Sequence, residues 1–201
     1  FRFQSFAVAT IENDRLLQFI QEALADNLAS GGTEKSFAAI VEEAFVTYGV
    51  DGIAPHHLNT VWRTNTALAY SGGQIAQMAE VVEEFPFWQY KTAEDENVRR
   101  SHRALNNRIF RNGDYEYWPP IDFNCRCDAI LISADDAESI EPTDKTTIKI
   151  NDKEAQFIGD KNERFIEWME ENLKSSTTQA QDLIAKAIED LKKTTNDNNK
   201  N

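Results

Sequence analysis

The chain has 201 residues and carries 34 acidic against 21 basic side chains, a formal net charge of -13. That length can bury one sizeable core, or a core with a small appendage, without disulfide support, while the acidic balance disfavours sequence-independent binding to a phosphate backbone. Two cysteines, Cys125 and Cys127, are too few for a secreted disulfide scaffold, and no stretch approaches the ~20 apolar residues of a membrane span, so the expectation is a soluble, intracellular-type protein with reduced thiols.

The first predicted element is a helix over residues 11–29, with Leu16, Phe19, Ile20, Ala23, Leu24 and Leu28 on one stripe and Gly31-Gly32 as its stop. A second amphipathic helix turns Phe37, Ile40, Val41, Ala44, Phe45 and Tyr48 inward and is capped by Gly49, giving an antiparallel helical hairpin. A third starts near His56 and carries Leu58, Val61, Trp62, Asn65, Leu68 and Ala69. Gly72-Gly73 is a candidate bend before Ile75, Met78, Ala79 and Val82 resume the pattern. His56 and His57 have no cysteine or acidic cluster beside them and read as helix-boundary residues rather than metal ligands.

From residue 85 the pattern changes. The aromatic run Phe87-Trp88-Gln89-Tyr90-Lys91 predicts a strand. Thr92 stands three residues before Asp95, a variant of the capping-box spacing, and predicts a polar helix over 92–105 ended by Asn106-Asn107. An aromatic loop from Phe110 to Trp118 leads to Pro119-Pro120, where two missing donors exclude a central strand. Residues 125–132 then predict a strand with Cys125, Cys127, Ala129 and Leu131 on one face; apolar residues on both faces suit a central position.

After Ser133 the acidic stretch 134–144 reads as a boundary, followed by a strand at 147–150 and a helix through Phe157, Phe165, Ile166, Met169 and Leu173. A last helix runs through Leu183, Ile184, Ala187, Ile188 and Leu191, and the polar tail 194–201 is expected to be disordered. The fold class is α+β, mainly helical with a small antiparallel sheet. The expected organisation is a module at 1–133, folding without the last helices, and a helical appendage at 134–201.

Chemistry concentrates in a structural motif of Thr92, Asp95, Arg99, His102, Pro119, Pro120, Cys125, Arg126 and Cys127. On the predicted helix Asp95, Arg99 and His102 form one ridge, in which Asp95 pairs with Arg99. His102, Cys125 and Cys127 are a candidate ligand set for a soft metal, zinc being the possible cofactor, with Asp114, Asp122 or water as the fourth ligand. Against it stands a metal-free latch, in which the cysteines pack and His102 hydrogen-bonds across the fold; no fourth ligand can be named, so the latch is the preferred reading. A His102–Cys125 base and nucleophile pair lacks any recognised nucleophile motif around it. The basic segment 91–111, with Lys91, Arg99, Arg100, Arg103, Arg108 and Arg111, is read as pairing with acidic surface rather than contacting DNA.

At these same residues the chain resembles the phage head morphogenesis family typified by the minor head protein F of phage Mu. The resemblance rests on Trp62-Arg63-Thr64-Asn65-Thr66-Ala67, Ala69-Tyr70-Ser71-Gly72-Gly73-Gln74, Trp88-Gln89-Tyr90-Lys91-Thr92 and Asp95. It continues in Val98-Arg99-Arg100-Ser101-His102, Ala104-Leu105, Trp118-Pro119-Pro120 and Phe123-Asn124-Cys125-Arg126-Cys127, in that order. Two departures are Asn106-Asn107 in place of an aspartate-glycine turn, which asparagine can make, and Gln74 in place of an arginine. The resemblance implies a structural minor head protein acting near the portal. Its partners would be the portal and capsid proteins of the same phage, and its place the host cytoplasm during assembly and then the virion head. The alternative is a metal-dependent enzyme using His102, Cys125 and Cys127.

Overall fold

The computed structural model describes residues 14–49, 51–52, 54–172 and 185–193. Helix α1 (Asp14–Ala29) and helix α2 (Glu34–Tyr48) pack together across residues 30–33. Thr33 caps α2 by accepting from the Ser36 amide, while the Ser36 hydroxyl accepts from the Thr33 amide. Gly49 ends the helix in the left-handed conformation, φ 62°, where a Cβ would be strained. The predicted inward stripes meet in one cluster: Leu16, Ile20 and Leu24 against Phe37, Val41, Ala44 and Phe45.

Helix α3 (Pro55–Glu80) is continuous through Gly72-Gly73 and begins on a proline, whose missing donor is harmless there. Its first half, Leu58 and Val61, belongs to the α1–α2 cluster. Its second half, Ile75, Met78 and Ala79, belongs to a second cluster around the sheet.

That sheet contains β1 (Phe87–Lys91), β2 (Ile109–Arg111) and β3 (Asp128–Ile132) in the order β2-β1-β3, antiparallel throughout. The class is therefore the expected one, mainly helical with a small antiparallel sheet. The central strand is β1, which buries Trp88 and Tyr90, whereas β3 is an edge strand with Ile130 exposed. Three further expectations are corrected. The cysteines precede β3 in an irregular segment instead of lying on it. Residues 148–150 form no strand; they follow a single 3₁₀ turn at Lys145–Thr147, and Ile148 and Ile150 still pack against the core. The predicted helix over 92–105 shrinks to α4 (Arg100–Leu105). Before α4 the Asp95 carboxylate accepts from the Asn97 amide two residues on, and Glu94 takes φ 55°, a turn that competes with helix.

Aromatic rings fill the second cluster. Trp88 stacks on Phe110 at 4.5 Å and meets Trp118 edge-on at 4.8 Å, and its indole donates to the Asp114 carbonyl. Asn112 ties the parts together by donating to the Met78 and Phe85 carbonyls and accepting from the Tyr115 hydroxyl. Helix α5 (Asp152–Asn172) contributes Ile158, Phe165 and Ile166 to the same cluster, and helix α6 (185–193) adds Ala187, Ile188 and Leu191. The hydrophobic core thus runs across residue 133 without a break. Expectations for residues 11–13, Leu173, Leu183, Ile184 and the tail 194–201 fall outside the described residues. Among the described residues no helix is long and apolar enough to cross a membrane.

Candidate functional site

Residues 121–127 cross the start of the sheet and are pinned to α3. Thr60 and Thr64, one helical turn apart, share a face of α3. The Thr60 hydroxyl accepts from the Asn124 side chain at 2.9 Å, and the Thr64 hydroxyl accepts from the Asn124 amide at 3.1 Å. Asn124 has φ 53°, a conformation asparagine tolerates better than most residues. Upstream, the Pro119-Pro120 bond is cis and both prolines are buried.

The predicted Asp95–Arg99 pair does not form, because Asp95 lies before the helix. Its carboxylate instead takes a two-pronged ion pair from Arg126, at 2.6 and 2.7 Å, and this holds the carboxyl below its usual range. Arg99 reaches the Asp122 carboxylate at 3.3 Å and donates to the Phe123 carbonyl at 2.9 Å. Both arginines therefore fasten the 121–127 segment to the turn before α4. Thr92 is buried, and its amide donates to the Asn106 side chain, closing the opposite side of that turn.

His102, Cys125 and Cys127 do come together. His102 is 2% exposed, and its Nδ1 lies 3.6 Å from the Cys125 sulfur and 3.4 Å from the Cys127 sulfur. Its Nε2 points the other way, 3.4 Å from the Glu154 carboxylate, an ion-pair distance without an aligned hydrogen bond. Glu154 is itself fully buried and engaged at both oxygens: one accepts from the Ser101 hydroxyl, the other from the Asn151 amide. The Asn151 side chain in return accepts from the Glu154 amide, completing a capping box at the start of α5. A single carboxylate therefore starts α5 and faces the histidine of α4.

The electrostatics follow from this crowding. The Cys127 thiol hydrogen-bonds to Cys125 and, with His102, draws the Cys125 thiol well below its ordinary range against the effect of burial. The Cys127 thiol moves up because it holds the proton beside that charge. Burial, then the two thiols, push the Tyr90 hydroxyl up; it is fully buried against both sulfurs with no aligned hydrogen-bond partner among the described residues. Burial lowers the Lys161 amine to about 7, with Cys125 and Glu116 acting in the opposite direction. That amine donates to the Trp118 carbonyl at 2.7 Å.

Sequence reasoning missed Thr60, Glu154 and Lys161 at this site, and held Thr64, Tyr90, Ser101 and Asn124 only within the motifs of the resemblance, with no role assigned. Two signals were available: the Asn151-x-x-Glu154 capping spacing, and the threonines four apart on α3. Of the two aspartates offered as a fourth ligand, Asp114 pairs with Lys145 at 3.2 Å and Asp122 is engaged by Arg99. The basic segment is largely occupied internally. Lys91 pairs with Glu94, Arg103 donates to the Val98 carbonyl, Arg108 to the Ala104 carbonyl, and Arg111 lies over the Phe87 ring.

Comparison with known proteins gives one family match, to the family described as "Phage Mu protein F like protein", over residues 18–130. The chain is 32% identical over 139 residues to the "Mu-like prophage FluMu F protein" of Haemophilus influenzae, covering 62% of this chain and 34% of that protein. It is 36% identical over 84 residues to the "Putative capsid assembly protein F" of Escherichia phage Mu, covering 40% of this chain and 19% of that protein. The chain thus spans about a third or less of the length of these relatives. No solved structure matches.

Proposed function

The chain belongs to the phage Mu protein F-like family, and from that membership we propose that it is a structural component of phage or prophage head assembly. It acts as a minor head protein near the portal, binds portal and capsid proteins of the same phage, and passes from the host cytoplasm into the virion head. The observation that carries this reading is the similarity to a protein named for capsid assembly, together with a family match over residues 18–130 that includes those pinning 121–127 to α3 and α4. The site's construction supports a bracing role: His102 is buried with both ring nitrogens facing protein side chains, which suits cross-linking better than proton transfer to a substrate. DNA contact is disfavoured by the net charge and by the internal pairing of the basic segment.

The test is co-purification of the full chain with portal and capsid proteins from the same genome, in assembling particles. Association with the portal is expected. Recovery of the chain free of every head component would reject the assembly role, and association with capsid but not portal would reject the placement.

A further inference from the structure

We propose that His102 Nδ1, Cys125 Sγ and Cys127 Sγ bind one zinc-class divalent ion, oriented by Glu154 from α5, so that metal binding braces the 121–127 segment against α4 and the C-terminal helices. The three donor atoms lie within 4.8 Å of one another. Around a tetrahedral zinc, with metal–sulfur near 2.3 Å and metal–nitrogen near 2.0–2.1 Å, nitrogen and sulfur ligands stand about 3.5 Å apart. The nitrogen–sulfur separations here are 3.4 and 3.6 Å.

A metal-free latch accounts for this triangle less well. Glu154 beside Nε2 favours the tautomer with its proton there, leaving a single lone pair on Nδ1. One lone pair accepts well from one thiol, yet two sulfurs converge on it. An ion placed on that lone pair collects both. The opposite face completes the arrangement usual for a ligating histidine, whose other nitrogen addresses a carboxylate. The Tyr90 hydroxyl, buried against the sulfurs and lacking an aligned acceptor, gains one when they become thiolates.

The second donor group, His102 with Asp122 and Glu154, is a supporting layer and not a rival site. All four of its carboxylate oxygens are engaged, by the Phe123 amide, Arg99, Ser101 and the Asn151 amide. The two cysteines, by contrast, form no disulfide, and both sulfurs face the same ring nitrogen. Their softness selects zinc-class ions over magnesium or calcium. Binding releases the remaining thiol protons to solvent, and two thiolates balance the ion's charge. Cys127 also lines a cleft of about 210 Å³ with Gln74, Arg126 and Asp128, and a solvent water entering beside it would serve as the fourth ligand.

The full chain purified without added metal should contain roughly one zinc per chain, and a chelator should lower its melting temperature. Cobalt(II) added to the metal-stripped protein should give a thiolate-to-cobalt charge-transfer band that Cys127→Ser weakens, one of the two thiolates being lost. Glu154→Gln should retain the band but weaken cobalt binding by roughly 10–100-fold. Absence of both bound zinc and the band in the wild-type chain would overturn the proposal even if the cysteine variant does not fold. A band undiminished in Cys127→Ser would overturn it as well.

Discussion

Among the described residues Lys161 is the most heavily buried cation, 3% exposed, with its amine held by the Trp118 carbonyl and, at 3.4 Å, the Glu116 carbonyl. Burial lowers its folded-state pKa from 10.5 to about 7. The unfolded chain therefore binds an extra proton between those values, and folding becomes more favourable as pH rises through the window. Integrated from pH 7 to 9, that linkage amounts to roughly 2 kcal/mol of added stability. Lys161→Met removes the titrating group while filling much of the same volume. It also strands two carbonyls at a cost of about 1–3 kcal/mol each, so absolute stability at one pH decides little. The informative quantity is the difference between wild type and variant in urea unfolding at pH 7, 8 and 9, in which titrations common to both proteins largely cancel. The wild-type chain should gain about 2 kcal/mol relative to the variant across the series. A metal on the thiols removes the Cys125 charge that props the amine up, so the sign survives metal binding. Parallel curves would show that the amine stays charged in the folded protein, and the burial argument would fail.

Asn112→Ala removes two donated bonds and one accepted bond, leaving the Phe85 carbonyl and the Tyr115 hydroxyl unpaired and the Met78 carbonyl with the Val81 amide alone. A loss of about 2–4 kcal/mol is expected in denaturant unfolding, and less than about 1 kcal/mol would show that water or a shift of the 112–115 turn replaces it. A chain ending at Ser133 loses Ile158, Phe165, Ile166, Ile188 and Leu191 from the core. At about 1.5–3 kcal/mol per buried side chain, that rivals the net stability of a typical domain. Its thermal melt should be noncooperative and its apolar surface should bind a hydrophobic dye, whereas a sharp transition would establish residue 133 as a true folding boundary.

Helices α1, α2 and α3 were legible because their apolar residues recur at helical spacing and the stops are strong: Gly49 takes the left-handed conformation that its type allows. Strand β1 was legible as well, bounded by Pro86 and dense in aromatics. Asn107, in the Asn106-Asn107 turn, adopts φ 65°, a left-handed conformation that asparagine tolerates better than most residues. The failures share a cause. A threonine, a capping-type aspartate and polar residues imply a helix from Thr92, but local spacing says nothing of Arg126, 31 positions away, which claims the Asp95 carboxylate. Ile148 and Ile150 alternate like a strand, yet they pack on the core with no ladder to join. In both cases a tertiary partner outweighs the local pattern.

The convergence of His102 with the cysteines follows from strand pairing rather than from residue spacing. Lys91, the last residue of β1, pairs with Asp128, the first of β3, so Cys127 lies beside the point where the chain leaves β1. Gln89 pairs with Ile109, so the connection from β1 to β2, which contains α4, begins and ends at that same edge of the sheet. Two segments separated by some twenty residues are thereby delivered to one end of three strands, with α5 laid against them by the Glu154 capping carboxylate. Sequence periodicity identifies β1 and the run that holds β3, but neither β2, whose residues read as the start of an aromatic loop, nor the order β2-β1-β3, and only that order puts the histidine between the thiols and the carboxylate. The motif residues therefore act as a joint between segments. Weakening any one of its arms, at Asp95, Asn124 or Glu154, frees a different segment from the same sheet end.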